Sequence, residues 1–255
     1  MNNTEHETVK INTGTSNYRS KGGILGVDGR ESFDAWEKGS SCDRLTDSIE
    51  PSTLPASLPQ SFSLMVPVMC RKLQMQARYT HSIEGVEVTR YTVEKESMKQ
   101  DSCFCPQPDA TPCLPDGYLH LEPCYPDISP PMAVSFPHGL YSPPPKMLTH
   151  TPKPDPEKHE IYMDVNRELG VPMAVHVSFQ LSAVLQPDSA FPLLQNINRT
   201  KIVPLFWASE GFSSPTPWMV STTTIALSLP SLGAQVASKP SFVGIIITII
   251  ILRGI

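Results

Sequence analysis

Six cysteines, all between positions 42 and 124, constrain this chain more than any other feature. Two of them stand in Cys103-Phe104-Cys105, separated by a single residue. On an extended strand, residues two positions apart point to the same face. Such a pair is badly placed to close on itself and well placed to bond two different partners. An even count with this spacing reads as a crosslinked fold, and therefore as an oxidising, extracellular or lumenal compartment. The spacing alone leaves fifteen connectivities open.

The chain of 255 residues is long enough for a substantial core, as one large domain or two small ones. Its 27 prolines are about twice the ordinary usage of roughly 5%. Proline at that density opposes long helices and favours short strands joined by stiff loops. Period-two alternation supplies the strands. Ile161, Met163 and Val165 alternate with polar neighbours. Farther on, Met173, Val175, Val177, Phe179, Leu181 and Leu185 define one face, opposed by His176, Ser178, Gln180 and Ser182. This is the pattern of a half-buried antiparallel strand, apolar side inward. Asn166 to Pro172, with Gly170, connects the two runs as a hairpin. Met132–Phe136, Val86–Val93 and Ile202–Trp207 are further strand candidates. The expected class is mainly β.

Two proline-rich loops interrupt these runs, Pro51 to Gln60 and Pro143 to Pro156, both expected to be extended and without regular structure. After Gly211 the composition turns to Ser, Thr and Pro, which places a boundary there: 1–211 as one unit, 212–255 as a low-order tail. The tail holds an uncharged run, Phe242 to Leu252, shorter than the ~20 apolar residues that a spanning helix needs. It reads as a buried β segment in preference to a transmembrane helix, with a remnant anchor as the other reading. Met1 to Arg30 is polar and carries no apolar core of a signal peptide. That start sets itself against the cysteines, because a disulfide-bearing chain must ordinarily be exported.

The formal charge of −5 gives no support to nucleic-acid binding. Structural zinc sites pair cysteines two to four residues apart, closer spacing than that excluding Cys103 and Cys105. His150 and His159 lie in or beside a proline-rich loop, and His120, His138 and His176 are read as ordinary residues in or beside strands. No metal or other cofactor is expected. The chain contains no Gly-x-Ser-x-Gly elbow, no phosphate-binding glycine loop and no His-Glu-x-x-His, so no enzyme is expected either. Asp155 with Glu157 is read as part of a solvated loop. Asn198-Arg199-Thr200 is a glycosylation acceptor between strand candidates, with Asn2-Asn3-Thr4 of little weight at the end.

In combination, Ser102-Cys103-Phe104-Cys105, Cys113, Gly117-Tyr118-Leu119 and Cys124 resemble the cysteine region of the class B scavenger receptor family. That family includes the thrombospondin and fatty-acid receptor, the lysosomal integral membrane protein, and the insect croquemort and sensory neuron membrane proteins. Pro131-Met132-Ala133-Val134-Ser135-Phe136-Pro137-His138 looks like its strand ending in Pro-His. Glu157 to Val165, Gly170-Val171-Pro172 and Ile202-Val203-Pro204-Leu205-Phe206-Trp207 with Glu210 continue the likeness in order. Upstream, Asn12-Thr13-Gly14, Trp36 and Ser41-Cys42-Asp43 also fit, so the resemblance runs from about Ile11 to Gly211.

The resemblance implies the pairings Cys42–Cys103, Cys70–Cys124 and Cys105–Cys113. It implies a partial, irregular antiparallel β-barrel ectodomain, representing the C-terminal part only, with three disulfides. The complete protein would be a two-pass membrane protein at the cell surface. Its partners would be lipids, lipoproteins or other anionic lipid ligands, taken up or passed toward the membrane. Met173, Val175, Val177 and Phe179 are the candidates to line the barrel interior. This chain departs from the family pattern: the first membrane helix and the helical ligand-binding cap are missing, and Gly139 stands where an aromatic usually follows Pro-His. The expectation is a truncated splice form or partial gene model of a lipid-binding scavenger receptor. The alternative is a secreted, disulfide-linked adhesion or structural module without lipid transport.

Overall fold

The computed structural model describes residues 8–99, 104–105, 113–125, 127, 131–143, 152–186, 195 and 200–228. Two short strands, β1 (Val9–Ile11) and β2 (Ile24–Val27), pair as a small antiparallel sheet. An eight-stranded antiparallel sheet follows. It comprises β3 (Ser61–Val66), β4 (Arg71–Ile83), β5 (Val86–Val93), β6 (Leu119–His120), β7 (Met132–Ser135), β8 (Tyr162–Asn166), β9 (Val171–Leu185) and β10 (Lys201–Phe212). Two helices accompany it: the single turn α1 (Pro156–His159) and α2 (Pro217–Ser228). The spatial order is β3-β4-β5-β8-β9-β7-β6, with β10 also on β9. The sheet does not close into a barrel among the described residues.

β9, fifteen residues long, organises this arrangement. Its first half pairs with β8, from Val171↔Asn166 to His176↔Tyr162. Its second half pairs with β7, from Gln180↔Ser135 to Ala183↔Met132. β10 runs along the opposite edge, from Val175↔Phe212 to Leu185↔Lys201. Alternation in the sequence located β7, β8 and β9, and the further candidates Val86–Val93 and Ile202–Trp207 fall on β5 and β10, but β3 and β4 were passed over. In β4 the apolar set is Leu73, Met75 and Ala77, interrupted by a bulge between Ala77 and Tyr79 that breaks the period.

Bulges also re-aim side chains. The register shifts between Asp164 and Val165, so Val165 faces Pro172 while Asp164 faces Ala174. Met173 is the extra residue, and it turns away from the face of Val175 and Phe179. It packs instead with Val86, Val88 and the residues of α2, where Thr223 Oγ1 lies 3.9 Å from its sulfur. The expectation that Met173 shares a face with Val175 is therefore corrected. The stretch after Gly211 opens with α2, whose Met219, Thr223 and Ala226 are buried. Residues from 229 onward, including Phe242 to Leu252, lie outside the described residues.

The main core joins Leu58, Phe62, Met75, Tyr91, Phe136 and Val165, among others. Phe62 and Tyr91 meet edge to face at 5.3 Å, and the Tyr91 hydroxyl donates to the Pro59 carbonyl at 2.8 Å. The 51–60 segment has no regular structure, as its prolines lead one to expect, yet it is tightly held. Leu54 and Leu58 are buried, and Ser57 N–H and Leu58 N–H donate to the carbonyls of Glu168 and Arg167 in the β8–β9 turn. Arg90 crosses from β5 to grip the buried Asp164 of β8 through two hydrogen bonds, Nε to Oδ1 at 2.8 Å and Nη2 to Oδ2 at 2.6 Å.

Gly170 ends that turn with φ +67, and a Cβ there would lie 2.3 Å from the Pro55 carbonyl oxygen. Both the left-handed backbone and the close approach exclude a side chain. Gly170→Ala is expected to cost about 2 kcal/mol or more of stability, read from the shift in urea midpoint. An unchanged midpoint would show that the 51–60 segment does not pack on this turn as described.

Candidate functional site

The apolar face of β9 and β7 carries the site. Met132, Val134, Phe179 and Leu181 form one wall of a cavity of about 350 Å³, closed by Met69 and Leu121. Tyr125 and Glu122 complete the lining, and Glu122 is the sole charged residue in it among the described residues. The volume falls in the range of ligand pockets, which are commonly about 300–1,000 Å³. The Cys70–Cys124 disulfide sits at the closing side, with a Cα–Cα distance of 5.8 Å. It joins the Met69 turn to the Leu121–Tyr125 segment, two stretches otherwise distant in sequence, so one covalent bond fixes the spacing between two sides of the cavity.

The burial of β9 runs against its polarity. Ser178 and Ser182 are 0% exposed and Gln180 is 3% exposed, whereas Val177 on the apolar face is 39% exposed. The polar side is buried because it is covered and hydrogen-bonded. Gln180 Oε1 accepts from the His138 N–H at 2.9 Å, and the Ser178 hydroxyl donates toward the Ala208 carbonyl. The expectation of an apolar-inward, polar-outward strand is thereby corrected: both faces are engaged, and it is the apolar one that borders open space. β10 prolongs this face. Phe206 stands opposite Leu181 and Ala208 opposite Phe179, and residues directly opposite share a face. Phe206 remains 52% exposed.

The second bridge, Cys105–Cys113, closes a short loop with a sequence separation of 8. Cys42 is also disulfide-bonded. Cys103, its partner in the expected scheme, lies outside the described residues, as do Asn198 and His150. Phe104 between the two cysteines has its own task. Its ring lies 3.6 Å from the guanidinium of the fully buried Arg71 and meets Trp36 edge-on at 5.0 Å. Trp36 Nε1 in turn donates to the Cys70 carbonyl at 2.5 Å. The Cys-Phe-Cys element is thus tied to the cavity-closing bridge through Trp36.

Asp155 and Glu157 do not converge as a carboxylate pair. Asp155 caps α1, its Oδ1 accepting from the Glu157 N–H at 3.0 Å, and its other oxygen lies 3.5 Å from Lys158 Nζ. Among the described residues no cluster of His, Cys, Asp and Glu is arranged to hold a metal ion. A larger concavity of about 660 Å³ lies beside Arg78, Glu94, Lys95, Tyr141 and Glu160, where cations and carboxylates of the chain face one another. The histidines separate. His138, His159 and Trp207 share one cluster, whereas His120 is isolated, buried in β6 with neither ring nitrogen hydrogen-bonded among the described residues. Sequence alternation pointed to the right strands for the cavity but carried no signal for Met69, Leu121 and Tyr125, which come from turns positioned by the disulfide.

Burial, followed by the nearby Arg71 charge, pushes His120 down to about 4. The unfolded imidazole takes its proton near pH 6.5. Stability is therefore complete above about pH 6.5 and declines as pH falls toward 4, where only the unfolded chain has bound the proton. Between pH 7 and 4.5 the wild type should lose about 2–3 kcal/mol more than His120→Leu, in urea titrations of both. Parallel pH profiles would contradict this.

The model of the CD36 family matches residues 1–254, a range that includes the region beyond Gly211. Sensory neuron membrane protein 1 of Heliothis virescens is 30% identical over 220 residues, covering 83% of this chain and 40% of that protein. The same-named protein of Apis mellifera is 26% identical over 211 residues, covering 80% of this chain and 39% of its own length. Protein peste of Drosophila melanogaster is 30% identical over 155 residues, 58% of this chain and 27% of that protein. The chain thus spans about 40% of the length of the sensory neuron membrane proteins it matches. No helix among the described residues is long and apolar enough to cross a membrane.

Proposed function

The chain belongs to the CD36 family, and on that premise we propose that it is part of a cell-surface scavenger receptor that binds lipid through the β7–β9 cavity. One observation carries the reading: an apolar strand face left facing open space while the polar face of the same strand is buried. The cavity suits a saturated acyl chain in chemistry as well as in size. Its lining offers thioether, aliphatic and aromatic surface and a single carboxylate. Each methylene transferred from water contributes about 0.8 kcal/mol, so roughly ten would supply about 8 kcal/mol. That is the scale of a micromolar complex before the costs of ordering are subtracted. The role is binding and uptake or transfer of lipid, without catalysis. The same reading supports Cys42–Cys103 as the third bridge, an N-glycan on Asn198 and a membrane-bound setting for the complete protein.

Titration of the purified, oxidised chain with a fluorescent fatty acid tests the cavity. Leu181→Asn should weaken binding at least tenfold, while Val177→Asn, on the same face but outside the lining, should leave it unchanged. Equal effects, or saturable binding unaltered by Leu181→Asn, would remove the cavity from the account, and no saturable binding by the wild type would favour an adhesion module without lipid transport. For the compartment, intact mass under non-reducing conditions should be six hydrogens below that of the reduced chain. Glycosidase treatment should lower the mass of the wild type but not of Asn198→Gln. Free thiols or an unglycosylated Asn198 on a secreted chain would contradict the corresponding assignment.

A further inference from the structure

The polar face of β9 is covered by a device with acid-sensitive chemistry. His138 follows β7 in the turn Pro137–Gly139, His159 is the last residue of α1, and Trp207 stands on β10 opposite Gln180. Their three rings form a triangle. The ring centroids are 4.8 Å apart for His138 and His159, and each lies 5.6 Å from Trp207, all edge to face. Three segments that are remote in sequence are joined there, across the strand that all of them flank.

The hydrogen bonds assign the protons. His159 Nδ1 accepts the Asp155 N–H at 2.8 Å, so the ring is neutral and its proton is on Nε2. A second proton would have to be placed on Nδ1, directly against that N–H. The imidazolium can form only if the bond breaks. The bond ties the last residue of α1 to its cap, Asp155, and the whole helix is a single turn. His176 on β9 behaves differently. Its Nδ1 donates to the Glu160 carbonyl at 2.8 Å, and its Nε2 accepts the Ser209 hydroxyl at 2.7 Å. When protonated it can donate at both nitrogens, because the serine oxygen also accepts. Of these two rings, only that of His159 must give up a hydrogen bond to take a second proton.

The surrounding charges agree with this assignment. Burial is the main influence lowering the basicity of His159, joined by His138, Lys158 and His176, and only Asp155 opposes them. Burial also lowers that of His138. From β9 the facing titratable group is His176; β10 presents Trp207 and Ser209, which carry no charge; α1 presents Asp155 and Lys158. Glu160, just beyond α1, has its side chain engaged by the Tyr141 hydroxyl at 3.1 Å.

We propose that His159, with His138 and Trp207, forms an acid-operated latch that holds α1 and β10 together across the polar face of β9. Near neutral pH the latch is shut. On the acid side of the ordinary histidine range, protonation of His159 expels the Asp155 N–H, α1 unwinds and Trp207 loses its two ring partners. The outcome does not depend on what, if anything, occupies the apolar cavity on the other face.

Hydrogen exchange of the whole purified chain at pH 7.0 and 5.5, corrected for intrinsic exchange rates, tests this latch. Peptides covering 155–162 and 203–209 should lose protection at least tenfold more than those in β4 and β5. In His159→Asn, whose Oδ1 can accept the same N–H but cannot titrate, that selective loss should vanish, and in His176→Gln it should persist. Persistence in His159→Asn, or no selective loss in the wild type, overturns the proposal. If His159→Asn is already unprotected at pH 7.0, an NMR titration of the wild type decides the matter. The His159 ring must titrate together with loss of the Asp155 amide bond, and titration without that loss overturns the latch.

Discussion

The structure depends on the way β9 is paired. A strand of fifteen residues meets β8 and β7 end to end along one edge and β10 along the other. Its backbone is therefore satisfied over nearly its full length, and its side chains define two environments separated by one strand thickness. On one side Ser178, Gln180 and Ser182 are buried, with Gln180 opposite Trp207 and bonded to the His138 N–H. On the other, Phe179 and Leu181 join Met132 and Val134 along open apolar space. Covering the polar side and opening the apolar side costs hydrophobic stabilisation, which the hydrogen bonds of the polar side offset only in part. A fold that keeps this arrangement leaves apolar surface facing open space.

The disulfides serve the same geometry. Cys70–Cys124 brings the Met69 turn to the Leu121–Tyr125 segment, neither of which has a strand ladder to fix it against the other. Phe104, held between cysteines, packs on Arg71 immediately after Cys70, and Trp36 links that cluster to the Cys70 carbonyl. The cysteine region thus acts as a frame for one rim of the cavity. The family match extends over residues 1–254, and the similarity to the sensory neuron membrane protein 1 of Heliothis virescens covers 83% of the chain.

Much of this was legible in the residues. Alternation found β7, β8 and most of β9, and the apolar, β-branched runs Val86–Val93 and Ile202–Trp207 marked β5 and β10. Two classes of feature escaped. Bulges reverse the parity of a strand without leaving a mark in composition, which concealed much of β4 and moved Met173 from the cavity face to the cluster under α2. Burial of polar residues depends on what covers them, and the cover over Ser178 and Gln180 comes from residues before, beyond and well after them in the chain. The histidines illustrate the same limit. His138 and His159 are unremarkable in the sequence, and only the approach of β10 brings Trp207 onto both.

Photolabelling tests the central claim most directly. A fatty acid carrying a diazirine near the end of its acyl chain, cross-linked to the purified chain and mapped by peptide mass spectrometry, reports where the chain end rests. The account predicts adducts concentrated in Met132–Ser135 and in the 177–185 segment of β9, competed by unlabelled fatty acid. Adducts confined to α2 or to the outer, Trp207-bearing face of β10, with none on β7 or β9, would contradict it.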